Sequence, residues 1–289
     1  MALEERDKPS GYMTTGHEWN GIKELNSPVP RLVFFFLWLT FAIAVVGWVL
    51  LPAWPLGLTY TKGLLGMSQR KTLAASIQAA APDVASWTSR IKALDYPAIQ
   101  ADPNLMLAVR QTGHTLFADN CAACHGSQGN GQPGFPNLVA GAWLWGGDPA
   151  SIAQTSRVGI NSVHPDSRVS QMQAYGTQDV LKKPQIESVA AYVLSLSRPD
   201  QDPAQVAAGQ PIFAANCVAC HGDNGKGNPE LGAPNLTDEV WLYGGDIASI
   251  VTTIDKGRQG HMPAWEARLS EVQRKILALY VVELGAKSK

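Results

Sequence analysis

Hydrophobic and polar positions divide the chain into stretches of distinct character. Residues 1–31 are polar and mixed in charge, with Gly, Pro and Asn and no sustained apolar period, which predicts an extended or loosely ordered tail. The pattern then changes. Leu32 to Leu51 reads LVFFFLWLTFAIAVVGWVLL without a charged residue. A helix of that length, rising about 1.5 Å per residue, crosses a hydrocarbon core of about 30 Å. Its apolar side chains lie all the way round, which a surface helix does not tolerate. Pro28 and Pro30 before the run, and Pro52 and Pro55 after it, suit helix boundaries, and Trp54 suits an interfacial anchor. The pattern predicts a transmembrane anchor over 32–55. A cleaved signal peptide is disfavoured by the long leader and by Leu51-Pro52-Ala53-Trp54-Pro55, a poor small-residue cleavage site. Residues 56–104 form a connector. Gly57, Gly63 and Gly66 break it early, and Ser68 to Leu94 then places Leu73, Ile77, Val84, Trp87, Ile91 and Leu94 at helical spacing. Pro82 is expected to split that helix or to open a second one. The connector is expected on a membrane-proximal face or against a partner.

Beyond the connector the chain repeats itself. Gly113, Phe117, Asn120 and Cys121 recur as Gly209, Phe213, Asn216 and Cys217. Gly126, Gly129 and Gly131 recur as Gly222, Gly225 and Gly227, and Pro136-Asn137-Leu138 as Pro234-Asn235-Leu236. Trp143-Leu144 and Gly146-Gly147-Asp148 recur as Trp241-Leu242 and Gly244-Gly245-Asp246. Such a fixed offset is an internal duplication. It predicts two small helical domains, 105–197 and 204–289, joined by the short polar stretch Ser197 to Pro203. Asp202-Pro203 reads as an N-cap and first helical residue. Each copy reads as an opening helix, a cysteine motif, a glycine-rich loop, short helices and a closing helix carrying Tyr192 or Tyr280.

The candidate chemistry sits in the duplicated motif. Cys121-Ala122-Ala123-Cys124-His125 and Cys217-Val218-Ala219-Cys220-His221 use all four cysteines of the chain. Cys-x-x-Cys-His is the attachment signature of c-type haem. Two thiols bond to the porphyrin, and His125 or His221 supplies the proximal iron ligand. A structural zinc site needs four ligands where the motif supplies three, and a thioredoxin-like motif needs a βαβ setting that the pattern lacks. The motifs therefore predict two covalently bound haem c groups. Covalent attachment takes place on the outer side of an energy-coupling membrane, which puts the tail on the cytoplasmic side. The basic residues flanking the anchor, Lys23 and Arg31 against Lys62, Arg70 and Lys71, do not fix the orientation. Net charge over the 289 residues is −1, so nothing points to nucleic acid.

Both copies resemble the class I cytochrome c fold. Together with the apolar run, the resemblance implies a mainly α protein with one transmembrane helix and two tandem class I cytochrome c domains. In that family the sixth ligand is a methionine ahead of the closing helix. In the second copy it is Met262, within Gly260-His261-Met262-Pro263-Ala264-Trp265; in the first it is Met172, where Gln173 replaces the usual proline. His164, in an insertion of the first copy, is the other candidate there, and bis-histidine ligation would lower that haem's potential. Arg157 and Arg258 are candidate partners for haem propionates, because guanidinium pairs well with carboxylate. Trp143 and Trp241 are expected against a haem edge or in the ordinary core.

A second resemblance covers nearly the whole chain. Thr14 to Asn26 ahead of the anchor (TTGHEWNGIKELN), and Pro52-Ala53-Trp54-Pro55 with Tyr60-Thr61-Lys62-Gly63 after it, are similar to subunit III of the cbb3-type cytochrome c oxidases, the di-haem c subunit. Members of that family often have a further upstream membrane helix; this sequence shows one apolar run. The resemblance implies an electron-transfer subunit in a bacterial inner membrane, with periplasmic haem domains, not an enzyme on its own. Its expected partners are a catalytic haem–copper subunit, a mono-haem c subunit and a donor cytochrome c, in a proton-pumping assembly. Two other readings share the haem features. They are a free-standing anchored di-haem carrier and a di-haem peroxidase, which would need an open iron site.

Overall fold

The computed structural model describes residues 5–287; the expected outer limits of the tail at residue 1 and of the second repeat at residue 289 lie outside the described residues. The chain divides into two compact units at Ala81 and Pro82.

In the first unit the tail is not loosely ordered. Strands β1 (Thr14–Trp19) and β2 (Ile22–Leu25) pair antiparallel, with Trp19 opposite Ile22. Asn20 and Gly21 make the turn at φ 49 and 86, the left-handed pair that a two-residue hairpin requires. Helix α1 (Arg31–Leu50) has no buried residue and is long and apolar enough to cross a membrane. Its last carbonyls lack helical partners by construction. The chain turns back to satisfy two of them: Leu64 N–H donates to Val49 at 2.9 Å and Leu65 N–H to Leu50 at 3.1 Å. Trp48 and Trp54 meet edge to face, with centroids 5.1 Å apart.

Helix α2 (Gln69–Ala93) runs through Pro82 unbroken, against the expected split. Proline deletes one hydrogen bond, and the far end of the helix is anchored well beyond it. Ile91 is fully buried, and the Lys275 ammonium caps the end by donating to the Ile91 carbonyl at 3.0 Å and the Leu94 carbonyl at 2.6 Å. Trp87, Ile91 and Leu94 thus pack into the haem-motif unit. There follow α3 (Tyr96–Ala101), α4 (Pro103–Asn120), α5 (Ala122–His125), α6 (Pro149–Val158), α7 (Lys183–Ser195), α8 (Pro203–Asn216), α9 (Val218–His221), α10 (Ile247–Lys256) and α11 (Glu271–Lys287). Aspartates begin several of them. The Asp102, Asp148, Asp202 and Asp246 carboxylates accept from N–H groups of the first turns of α4, α6, α8 and α10.

The second unit holds two cores, and neither is built from one repeat. The first gathers Leu105, Val109 and Phe117 of α4 and Ile152 of α6 with Ile276 to Val281 of α11. The second gathers Ile186, Val189 and Val193 of α7 with Phe213 of α8, Leu236, and Ile250 and Ile254 of α10. The closing helices are exchanged. A Cβ on Gly113 of α4 would lie 2.6 Å from Cβ of Tyr280, not beside Tyr192, and one on Gly209 of α8 would strike the Ser188 carbonyl and Tyr192. The sequence reading of two self-contained domains is therefore corrected to two lobes, each drawing on both repeats. The cause is local. Duplicated helices present the same glycine-and-aromatic crossing, so either closing helix fits either opening helix. The connector from Leu196 to Asp202 folds α7 straight back on α8, and consecutive elements on a short connection pack together. That leaves α11 for α4.

Candidate haem sites

Each attachment turn is set by its opening helix. Phe117 and Phe213 bury their rings, and Cys121 N–H and Cys217 N–H each donate to that phenylalanine's carbonyl at 2.8 Å. A one-turn helix, α5 or α9, then carries the second cysteine and the histidine. Cys124 and Cys220 are exposed, and Cys121 and Cys217 are partly buried, with burial pushing each of their thiols up to about 11. The histidines are held alike. His125 Nδ1 lies 3.1 Å from the Pro136 carbonyl, and His221 Nδ1 lies 3.1 Å from the Pro234 carbonyl. A carbonyl only accepts, so Nδ1 carries the proton and Nε2 keeps its lone pair, the state a metal-binding imidazole needs. Burial lowers both histidine pKa values, against the opposing pull of the carbonyl bond, and so favours the neutral ring. The proline carbonyls are a functional feature that the sequence reading did not assign, although the repeated Pro-Asn-Leu carried the signal. The glycine-rich loops aim them: Gly131 N–H donates to His125 O at 2.7 Å, and Gly227 N–H to His221 O at 2.8 Å.

The methionine loops cross between repeats as the closing helices do. Met262 and Ile160 exchange backbone hydrogen bonds, both at 2.9 Å, and Trp265 N–H donates to Ser156 O at 3.0 Å, so the Met262 loop lies on α6 of the lobe with Cys121. Met172 and Arg258 exchange bonds at 2.8 and 3.1 Å. Met172 packs in the core that contains Cys217, and the Tyr175 hydroxyl donates to the Asn216 carbonyl at 2.7 Å, one residue before that cysteine. The sequence reading put Met172 with His125 and Met262 with His221; the packing gives the reverse. Gly159 and Gly257 permit the crossing. Both have left-handed φ, 71 and 68, and a Cβ on either would fall on the backbone of the opposite methionine loop.

His164 is engaged elsewhere. Its Nε2 is 2.7 Å from Glu266 Oε2, and its Nδ1 accepts from Asp166 N–H at 3.0 Å, which leaves no ring nitrogen for iron. Arg157 is likewise committed, to Asp166 at 3.2 Å and Glu266 at 3.3 Å. Arg258 donates to Thr253 Oγ1 and stacks on Tyr243, with its guanidinium carbon 4.5 Å from the ring centre. Its counterpart in space is not Arg157 but Arg168, stacked 4.9 Å over Trp145. Trp143 packs in the first core and Trp241 in the second.

Two observations test whether these residues suit haem. The indole Nε1 of Trp145, Nε of Arg168 and Nε1 of Trp241 are buried without a hydrogen-bond partner in the protein, which leaves donors for an acidic group. Among the described residues, no three His, Cys, Asp or Glu side chains converge as a metal cage, so the motif cysteines and histidines lack the further ligands of a zinc site. The donor sets fit haem.

Family models match stretches along most of the chain. The family model described as "Cytochrome c" matches residues 111–197, and "Cytochrome C oxidase, cbb3-type, subunit III" matches 204–281. "N-terminal domain of cytochrome oxidase-cbb3, FixP" matches 11–57. The chain is 47% identical to "Cbb3-type cytochrome c oxidase subunit FixP" of Bradyrhizobium sp. (strain ORS 278), over 97% of each chain. It is 43% identical to "Cbb3-type cytochrome c oxidase subunit CcoP" of Azospirillum brasilense, over 99% of each. The chain belongs to the FixP/CcoP family of cbb3-type cytochrome c oxidase subunits. Within this FixP/CcoP chain, the hairpin and α1 fall in the segment matched by the FixP amino-terminal model, and each Cys-x-x-Cys-His turn falls in a segment matched by a cytochrome model.

Proposed function

We propose that this chain is the electron-relay subunit of a cbb3-type oxidase and carries two covalent haem c groups. Cys121 and Cys124 would hold one and Cys217 and Cys220 the other, and His125 with Met262, and His221 with Met172, would bind the irons. The carrying observation is the pair of Cys-x-x-Cys-His turns, each with its histidine Nδ1 held by a proline carbonyl in a lobe that receives a methionine loop. Bound haem supplies a reversible one-electron couple. The chain's part is to fix the imidazole tautomer, exclude water with Phe117 and Phe213, and set the potential through thioether ligation. As sequence units, the tail 1–31, anchor 32–55, connector 56–104 and repeats 105–197 and 204–289 serve this role; as packing units the repeats interlace.

Electrons would pass from a donor cytochrome c through the two haems toward the mono-haem c subunit and the haem–copper subunit that reduces oxygen. The chain would be single-pass in the bacterial inner membrane, with amino terminus cytoplasmic and haem lobes periplasmic. On its own it would catalyse no bond-breaking step. Relatives that match from the tail through both repeats support this role over a free-standing carrier, and two methionine loops leave little support for a peroxidase. Mild-detergent purification with a haem stain tests the reading. Other haem subunits should co-purify, and a pyridine haemochrome assay should give two c-type haems per chain. Isolation of this chain alone, with full donor-oxidase activity in a strain lacking it and any paralogue, would overturn it.

A further inference from the structure

The two methionine loops dock on their helices through the same backbone bonds. Trp265 N–H donates to the Ser156 carbonyl of α6 at 3.0 Å, and Glu266 N–H to the Arg157 carbonyl at 3.3 Å. Tyr175 N–H donates to the Ile254 carbonyl of α10 at 3.0 Å, and Gly176 N–H to the Asp255 carbonyl at 3.1 Å. The side chains at these places differ. One loop sets Glu266 over Arg157; the other sets Gly176 over Asp255, where a Cβ would fall on the Asp255 carboxylate.

Glu266 is the hub of a side-chain cluster. Its Oε1 accepts from the Arg157 guanidinium at 3.3 Å and its Oε2 from His164 Nε2 at 2.7 Å. Asp166 N–H donates to His164 Nδ1 at 3.0 Å, so Nε2 is the nitrogen that carries the proton. Arg157 also pairs with Asp166, at 3.2 Å. His164 and Asp166 belong to the insertion between Gly159 and Met172, which has no counterpart between Gly257 and Met262. That insertion is a closed excursion: Arg168 N–H returns to the Gly159 carbonyl at 3.1 Å, and Asn161 Nδ2 donates to the Ser170 carbonyl at 2.8 Å. It also grips the far side of the Met262 loop. Asn161 Nδ2 donates to the Gly260 carbonyl at 2.7 Å, and His261 Nδ1 donates to the Asn161 carbonyl at 2.9 Å. Met262 is thus held on both flanks, by Asn161 on one side and by the Glu266 cluster on the other.

We propose that Glu266, His164, Arg157 and Asn161 are positioning residues, a clamp by which the insertion of the first repeat keeps the Met262 thioether on the iron it shares with His125. This rests on the reading of Met262 as an iron ligand. The clamp acts through the loop and not on the iron. A thioether leaves its iron when the loop that carries it swings away, and an added imidazole competes for the vacated position. The apparent imidazole affinity therefore scales with the fraction of chains whose loop is open. Loosening either flank raises that fraction at one iron only, because the Met172 loop has no such side-chain cluster at Gly176.

Imidazole titration of the oxidised full-length chain tests the clamp, with the methionine–iron charge-transfer band as the readout. In a Met172→His background that band belongs to Met262 alone. There Glu266→Ala should raise the imidazole affinity about fivefold, the scale of a partly exposed ion-pair network. His164→Ala should raise it too, and the double variant no further than the larger single change, since the two side chains share one contact. Asn161→Gly, which keeps the left-handed backbone at φ 49 and removes only the side chain, should loosen the other flank. In a Met262→His background the same substitutions should leave the affinity at the remaining thioether unchanged. Hydrogen exchange at the Trp265 and Glu266 amides should quicken in each variant. Unchanged affinity in both Glu266→Ala and Asn161→Gly, or an equal rise at both irons, would overturn the proposal. Should Glu266→Ala fail to fold, His164→Ala and Asn161→Gly decide it by the same criteria. A Met172→His chain with both haems and no band would refute the ligand reading instead, and the amide exchange, which needs no iron, would still show whether the clamp holds the loop.

Discussion

Met172 and Met262 sit at equivalent places in the repeats, but each loop packs in the lobe of the other repeat's attachment motif. Paired variants distinguish the exchanged assignment from the sequential one through the weak methionine–iron charge-transfer band. If Met262 shares an iron with His125, the double variant Met262→Ala, His125→Ala spoils one centre and about half the band survives, since one thioether ligand remains on the other iron. The double variant Met262→Ala, His221→Ala spoils both centres and abolishes the band. Sequential pairing requires the opposite result. Much at this level was legible in the chain. Cys-x-x-Cys-His names its own chemistry, and Met262-Pro263-Ala264 stands out ahead of the closing helix. Arg168 was hidden because the insertion shifts it out of register with Arg258, and the sequence reading named Arg157, which two carboxylates occupy. The proline carbonyls that hold the histidines showed in the chain only as the repeated Pro-Asn-Leu, which does not by itself say what its backbone binds.

The helix crossings give a second test. Alanine at Gly113 would place a methyl 2.6 Å from the Tyr280 side chain, an overpacking that costs about 1–3 kcal/mol. Denaturant unfolding of Gly113→Ala should show that loss. In a double-mutant cycle it should couple with Tyr280→Ala and be additive with Tyr192→Ala, since only residues in contact couple. A cycle with the two tyrosines reversed would refute the exchanged helices. Helix positions were readable from apolar spacing and from Asp-Pro starts such as Asp202-Pro203. Helix partners were not, because duplication gives both closing helices the same apolar face and connector length decides between them. The amino-terminal hairpin is a different kind of miss. Trp19-Asn20-Gly21-Ile22 contains the strongest short hairpin signal available, and the polar composition around it obscured the turn.

Interlacing changes what the molecule can survive. Arg198, Pro199 and Asp200 in the connector are exposed, and a single proteolytic cut there should leave the halves associated on gel filtration, because each core holds helices from both sides of the cut. Separation into two haem-bearing fragments would contradict the cores described. Deleting residues 1–55 and supplying a cleavable export signal should give a soluble chain that keeps both haem spectra, since the unburied apolar helix lies wholly within the deletion. Persistent membrane attachment after a salt wash would show a second lipid-facing surface. The exchanged α11 also bears on biosynthesis. A chain made amino end first exposes Cys121 early, yet the lobe around it cannot close until the last helix has emerged. The lobe around Cys217, whose borrowed helix α7 is already made, closes as soon as α10 follows. The first motif synthesised is thus the last one sealed, and a premature stop ahead of α11 spoils the earlier centre while sparing the later one.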